Sequence, residues 1–318
     1  MTHTPLRVLL LGGTGTIGRA TAAALVAAGH DVVALVRAGA DLPDCTLHVG
    51  DVTQPGAVDA ALATHPCDAV ISCLASRTGD PADAWAIDHA AQSRALQAAV
   101  AHGLGQFVLL SAICVQKPLL AFQRAKLAFE AELQAAPITW TIVRPTAFFK
   151  SLSGMVARVQ AGKPWLVFGD GRGTACKPIS DADLGRFLAL CLTDPAKQNR
   201  ILPIGGPGPA ITPRDQVAIL ERLTGQPVTV KQVPIALMDA IIAVLSVLGR
   251  LSPALRAKAE LARIGRYYAT ESMLIWDAAR THYDADATPE FGTDTLADHY
   301  AAILRGDVAD DRGAHKVF

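Results

Sequence analysis

The chain has no surplus of charge. Its 318 residues carry 29 Lys+Arg against 29 Asp+Glu, so no general electrostatic attraction draws it to nucleic acid. Charge of either sign is scarce at 18%, and the mean hydropathy of +0.28 describes an apolar soluble protein or one that rests against a membrane. The most apolar stretch, Ile235–Leu248, contains Asp239 and falls short of the roughly 20 residues needed to cross a bilayer. Met1–Leu11 lacks the charged start, apolar core and small-residue cleavage site of a secretory signal. A cytoplasmic location is therefore expected. The six cysteines, Cys45, Cys67, Cys73, Cys114, Cys176 and Cys191, include no CxxC pair. Free thiols in a reducing compartment follow, and no protein-bound metal is expected.

What is present is a regular alternation of short branched runs with alanine-rich stretches. Leu6–Leu11, Asp31–Val36, Thr46–Val49, Ala69–Ser72, Phe107–Leu110 and Thr139–Val143 read as strands. Helices are expected at Thr16–Ala28, Pro55–Ala63, Asp83–Ala101 and Leu119–Ala135. The strand runs barely alternate, so both faces must be covered, which requires crossover helices. The fold class is α/β, a doubly wound and mostly parallel Rossmann sheet with a smaller carboxy-terminal substrate-binding portion. Residues 1–150 are read as the cofactor domain and 151–318 as mainly the substrate portion, with segments near 178–204 rejoining the core. Ser180-Asp181-Ala182-Asp183 reads as a capping box opening a helix to Leu192, and Thr212-Pro213-Arg214-Asp215 opens another to Leu223. Arg200–Ile204 and Val228–Val233 are short strand candidates, and Ile235–Leu248 and Pro253–Ile264 read as consecutive helices.

Gly12-Gly13-Thr14-Gly15-Thr16-Ile17-Gly18 follows the first strand and opens the first helix. In that context Gly12 permits a tight turn, Gly15 lets a pyrophosphate approach the backbone, and Gly18 lets helix and sheet pack closely. The helix from Thr16 and Ile17 presents its positive end to the phosphates. The second strand ends in Arg37, with no acid before Asp41. An NAD site usually places an acid there for the ribose hydroxyls. Arg37 instead suits a 2′-phosphate, with Arg19 assisting, so NADPH is the expected cofactor. Asp51 and Val52, after the third strand, are placed to flank adenine. Leu74 and Ala75, past the fourth, are placed to run under the cofactor.

These features resemble the short-chain dehydrogenase/reductase superfamily, in the atypical branch that holds NmrA-like proteins and isoflavone-type reductases. That superfamily ends its fifth strand with Ser and carries Tyr and Lys four residues apart on the next helix. Ser111 and Lys126 fit, but Phe122 stands at the tyrosine position and has no hydroxyl to donate. The resemblance implies that Lys126 holds the nicotinamide ribose, with Ser111 beside it and Pro145 and Thr146 on the nicotinamide side. Longer blocks are more specific. Ser111–Lys126, Val143–Leu152, Gly169-Asp170-Gly171, Cys176–Ser180 and Ile204–Gly208 are similar to the family of divinyl chlorophyllide a 8-vinyl-reductases.

Membership implies NADPH-dependent reduction of a vinyl group on a tetrapyrrole that carries its own magnesium. Phe148, Phe149 and Trp165 are then candidates to line a flat apolar pocket, although aromatics after a strand are often core. Lys150, Arg158, Lys163 and Lys177 are candidates to meet a propionate. His48, His65, His89 and His102 read as surface or packing residues. Core packing is the blander account of Ile235–Leu248 and the basic run after it; peripheral contact with a photosynthetic membrane is the alternative. Two other functions stay open: reduction of another conjugated small molecule, and a non-catalytic NADP(H)-binding sensor or assembly protein.

Overall fold

Val8–Leu11, Val32–Val36, Ala69–Ser72 and Gln106–Leu110 are buried along their length, which is why these runs show no polar alternation. In the computed structural model, which describes residues 4–308, they belong to one of two units. The first comprises the residues up to Ser76, Ala82–Pro145 and Asp181–Pro203; the second comprises Arg77–Pro81, Thr146–Ser180 and the residues from Ile204 on.

The first unit holds strands β1 Arg7–Leu11, β2 Asp31–Val36, β3 Thr46–Val49, β4 Ala69–Ser72, β5 Gln106–Leu110 and β6 Thr139–Pro145. The sheet order is β3-β2-β1-β4-β5-β6, extended beside β6 by β8, Arg200–Ile204. Every pairing from β3 to β6 is parallel. Its helices are α1 Thr16–Ala27, α2 Ala57–Thr64, α3 Pro81–Ala84, α4 Gln92–Ala101, α5 Ala121–Ala135 and α8 Asp181–Thr193. On one face Leu9, Val33, Val70, Phe107 and Ile142 meet Leu62 of α2, Leu96 of α4 and Phe129 and Leu133 of α5. Val8, Leu10, Ala34, Ile71 and Val108 point the other way and are buried too. There α1 and α8 pack side by side. The order reverses between β1 and β4, and ligands of such sheets bind at the carboxyl ends beside that point.

One helix expected over Asp83–Ala101 is broken in the middle. Trp85–Ala91 winds as a π-helix between α3 and α4. Such widened turns concentrate at functional sites because they re-aim a side chain, and this one holds the buried Asp88.

The second unit contains α6 Phe149–Leu152, α7 Val156–Gln160, β7 Trp165–Phe168, α9 Pro213–Thr224, β9 Val230–Val233, α10 Ile235–Leu248, α11 Pro253–Thr270, β10 Ile275–Asp277, β11 His282–Asp284 and α12 Leu296–Arg305. β7 pairs with β9 in parallel, and β10 with β11 antiparallel. Thr212 and Asp215 cap α9 reciprocally, as their spacing implies. The hydroxyl of Ser180 donates to Asp294 at 2.6 Å, a long-range tether that no local capping pattern could reveal. α11 runs past Ile264 to Thr270.

Candidate functional site

The glycine turn is shaped for something to lie against it. Gly12 has φ +74°, and a Cβ there would sit 2.8 Å from the Cys73 carbonyl; a Cβ on Gly18 would sit 2.1 Å from the Gly12 oxygen. Side chains are thus excluded where loop, helix and the end of β4 converge. α1 begins after Gly15, which supplies no side-chain cap, and its first turn holds no acid. A helix of this length presents partial positive charge at that end. Thr16 is half-buried and Ile17 buried.

Arg37 is exposed just past β2, and among the described residues it has no hydrogen-bond or ion-pair partner. Arg19 is exposed and donates to the Asp41 carbonyl at 2.8 Å. Asp51 accepts from the Thr53 N–H and hydroxyl, which hold its carboxyl below the usual range, with Arg37 adding to the effect. Asp51 therefore organises its own turn and sits within the field of Arg37. Val52 and Leu74 are half-buried and Ala75 is exposed. The cradle, the uncapped helix end and the unpaired guanidinium together fit a dinucleotide carrying an extra phosphate.

At the other side of the switch point, Phe122, Lys126 and Glu130 follow one another at four-residue spacing on α5 and so share a face. Phe122 is half-buried. Lys126 is 8% exposed, and its Nζ lies 3.0 Å from Asp88 Oδ1. Asp88 also accepts from the Ser76 N–H at 3.3 Å and from its hydroxyl at 2.5 Å. The ammonium charge reaches the thiol of Cys73, whose carbonyl borders Gly12. Glycine turn, β4 end and lysine therefore belong to one neighbourhood. Burial pushes the Cys73 thiol up to about 12, so it stays protonated and is no nucleophile.

Ser111 is buried, and its hydroxyl donates to Glu130 Oε1 at 2.5 Å. Arg144 closes on Glu130 through two nitrogens. The serine is thus one end of a Ser–Glu–Arg chain whose other end, Arg144, is half-buried. Asp88, Ser76, Glu130 and Arg144 escaped sequence reasoning as members of these networks. The four-residue step from Lys126 to Glu130 was the one visible signal. Asp88 had none, since a regular helix would not have marked its inward turn.

Pro145 ends β6 and is buried. Thr146, in the second unit, is buried and donates its hydroxyl to the Lys177 carbonyl. The Lys177 ammonium is itself enclosed, bonded to Glu290 at 2.6 Å and the Thr288 carbonyl at 3.3 Å, and it holds the Glu290 carboxyl below its usual range. That corrects the propionate reading for Lys177. Arg158 donates to the Pro164 carbonyl, while Lys163 is exposed and Lys150 half-buried. Phe149 and Trp165 are 4% and 2% exposed and pack with Val156, Val217, Leu220 and Tyr300. Those two rings fill a core in the folded chain, which corrects the pocket reading for them; Phe148 is half-buried. His89 and His102 are tied to Glu132 and Asp59, and His48 meets His65 edge to face.

Residues 12–195 match the model of a family described as NAD(P)H-binding. The divinyl chlorophyllide a 8-vinyl-reductase of Oryza sativa subsp. indica is 46% identical over 98% of this chain and 82% of its own length. The photosystem II assembly factor Ycf39 of Cyanophora paradoxa is 28% identical over 74% of each. Among solved structures, a ternary complex of leucoanthocyanidin reductase from Vitis vinifera shares the fold, with a TM-score of 0.69 and 17% identity over 94% of this chain and 99% of that one. With its NAD(P)H-binding region and near-full-length identity to the rice enzyme, the chain belongs to the divinyl chlorophyllide a 8-vinyl-reductase family.

Proposed function

We propose that this protein reduces the 8-vinyl group of divinyl chlorophyllide a to ethyl at the expense of NADPH. The observation that carries the reading is 46% identity across 98% of the chain to an enzyme of that name, joined to a site that keeps Lys126 and lacks the hydroxyl at Phe122. When bound, NADPH supplies the hydride, and a proton completes the ethyl group. Gly12, Gly15 and Gly18 with the start of α1 take the pyrophosphate, Arg37 the 2′-phosphate with Arg19 beside it, and Asp51, Val52, Leu74 and Ala75 flank the nucleoside portions.

Reducing a carbonyl develops charge on one oxygen, where a positioned donor is valuable. A vinyl group conjugated with a macrocycle spreads charge over the ring, so no single oxygen demands a tyrosine. Phe122 accordingly presents an apolar ring at that helix position. Lys126 orients the ribose, and Asp88 fixes the ammonium that does so. Ser111, directed at Glu130, stabilises the wall of the site. Pro145 and Thr146 shape the nicotinamide side and Phe148 the substrate side. The magnesium belongs to the tetrapyrrole, whose poor solubility in water suits a position beside a membrane.

Purified protein incubated with divinyl chlorophyllide a and nicotinamide-deuterated NADPH should yield monovinyl product one deuterium heavier. Folded protein that forms no monovinyl product and transfers no deuterium would end the proposal.

A further inference from the structure

α10 is built of alanine and branched aliphatics, and its two polar side chains are both spent on holding it to α11. Asp239 pairs with Arg266, and the Ser246 hydroxyl accepts from Arg263 at 2.6 Å, an arginine that Glu260 also holds at 2.9 Å. Gly249 closes the hairpin against the backbone of Arg256. Met238, Ile242 and Leu245 lie toward α11 and are buried or half-buried. Leu237, Ile241, Val244 and Leu248 recur at steps of four, three and four along a neighbouring, outward face and are 42–58% exposed, with Val247 further round at 60%. Leu251, at the tip, is 87% exposed.

A helix apolar all round is normally enclosed by protein or lipid. This one is enclosed on one side only, which overturns the expectation of core packing for Ile235–Leu248. Its 14 residues extend roughly 21 Å at 1.5 Å per residue. No helix among the described residues is long and apolar enough to cross a membrane.

The surroundings of the stripe distinguish among covers. Residues 235–270 carry five basic side chains and two acidic ones in a chain whose total charge is zero. Arg250, Arg256 and Lys258 are exposed and have no ion-pair partner among the described residues. Protein interfaces centre on aromatic and arginine anchors, whereas this stripe is aliphatic and these cations lie at the hairpin's tip and along α11. A second copy would set one net-positive hairpin against another. Anionic headgroups neutralise those cations while acyl chains take the aliphatic stripe.

The geometry points to the outer face of the α10–α11 hairpin as a docking surface for an anionic lipid bilayer, lying along the surface without crossing it. The test needs neither substrate nor NADPH, so it stands apart from the reductase reading. Purified full-length protein should float with vesicles of equimolar phosphatidylcholine and phosphatidylglycerol, and bind pure phosphatidylcholine vesicles more weakly. Added salt should narrow that difference. Ile241→Asp with Val244→Asp should cut partitioning by roughly tenfold or more, since two buried aliphatics are lost. Arg250→Glu, Arg256→Glu and Lys258→Glu should each cost about fivefold or more and weaken the salt response. Circular dichroism verifies that the variants fold, and the three charge reversals, made outside the apolar stripe, provide a separate test. The proposal falls if the protein fails to float at low salt, or if these variants float as well as the parent. It falls equally if light scattering shows a dimer that Ile241→Asp dissolves, with no vesicle binding, which would assign the stripe to a second copy.

Discussion

Replacing Asp88 with Asn separates what holds the fold from what turns over substrate. The Asp88 carboxylate is fully buried, and the Lys126 side chain is 9% exposed at 3.0 Å. Removing one partner of a buried pair leaves an uncompensated charge, at a cost of about 3–5 kcal/mol. Asn can keep the contacts from Ser76, so the lower part of that range is expected for Asp88→Asn and the upper part for Asp88→Ala. Urea unfolding at neutral pH reads the loss directly. Lys126→Met alone should cost a similar amount, by stranding the carboxylate. The double variant Asp88→Asn with Lys126→Met removes both charges and should return to within about 2 kcal/mol of the parent, since a neutral pair of similar volume is well tolerated. Its turnover should not return, because the ammonium proposed to orient the ribose is gone. Additive losses in the double variant, or a loss under about 1 kcal/mol for Asp88→Asn, would refute the coupling.

Arg37→Ala should reduce the preference for NADPH over NADH by roughly 10- to 100-fold, the worth of a charge-assisted contact, as read from kcat/KM with each cofactor; an unchanged ratio contradicts the assignment. Phe122→Tyr should leave kcat within about threefold of the parent, since the reaction develops no single oxyanion, and a large gain would show that a hydroxyl was missing. Gly18→Ala forces a Cβ to within 2.1 Å of the Gly12 oxygen, so NADPH titration should show binding lost or severely weakened together with a lower Tm. Cys73, Cys176 and Cys191 are each pushed by burial from 9.0 up to about 12. The unfolded chain releases these protons first, so their contribution is intact below pH 9 and is lost as pH rises toward 12, by up to about 1.4 kcal/mol per pH unit for each thiol. Changing all three to Ala should flatten the alkaline arm of a stability-against-pH curve.

The sheet was legible because its central strands are buried on both faces, as Asp31–Val36 and Ala69–Ser72 are, and the more exposed edge strands Thr46–Val49 and Arg200–Ile204 also fall where the sequence places them. Trp165–Phe168 and Leu296–Arg305 did not announce themselves. The former is a short strand in the second unit, paired with a residue run 65 positions away. The latter is an amphipathic helix whose partner surface lies far back along the chain. At the site, the glycine turn could be read from its place between strand and helix, and Lys126 from the resemblance to the short-chain dehydrogenase/reductase superfamily. The partners of Lys126 and Ser111 could not, because Asp88 depends on a π-turn and Arg144 on β6 lying beside β5. The fates of Phe149, Trp165 and Lys177 were hidden for a related reason: which side of a strand or loop becomes interior is decided by elements that arrive later.

The return of Asp181–Pro203 to the first unit also fixes an order in time. α8 covers the sheet beside α1, and β8 lies next to β6, so a nascent chain that has reached Pro145 still exposes apolar surface there. Between Pro145 and Pro203 the ribosome needs roughly 3–12 s at ordinary elongation rates. For that interval the cofactor unit is unfinished and open to chaperones, and a gene truncated after the sixth strand encodes a permanently unfinished sheet.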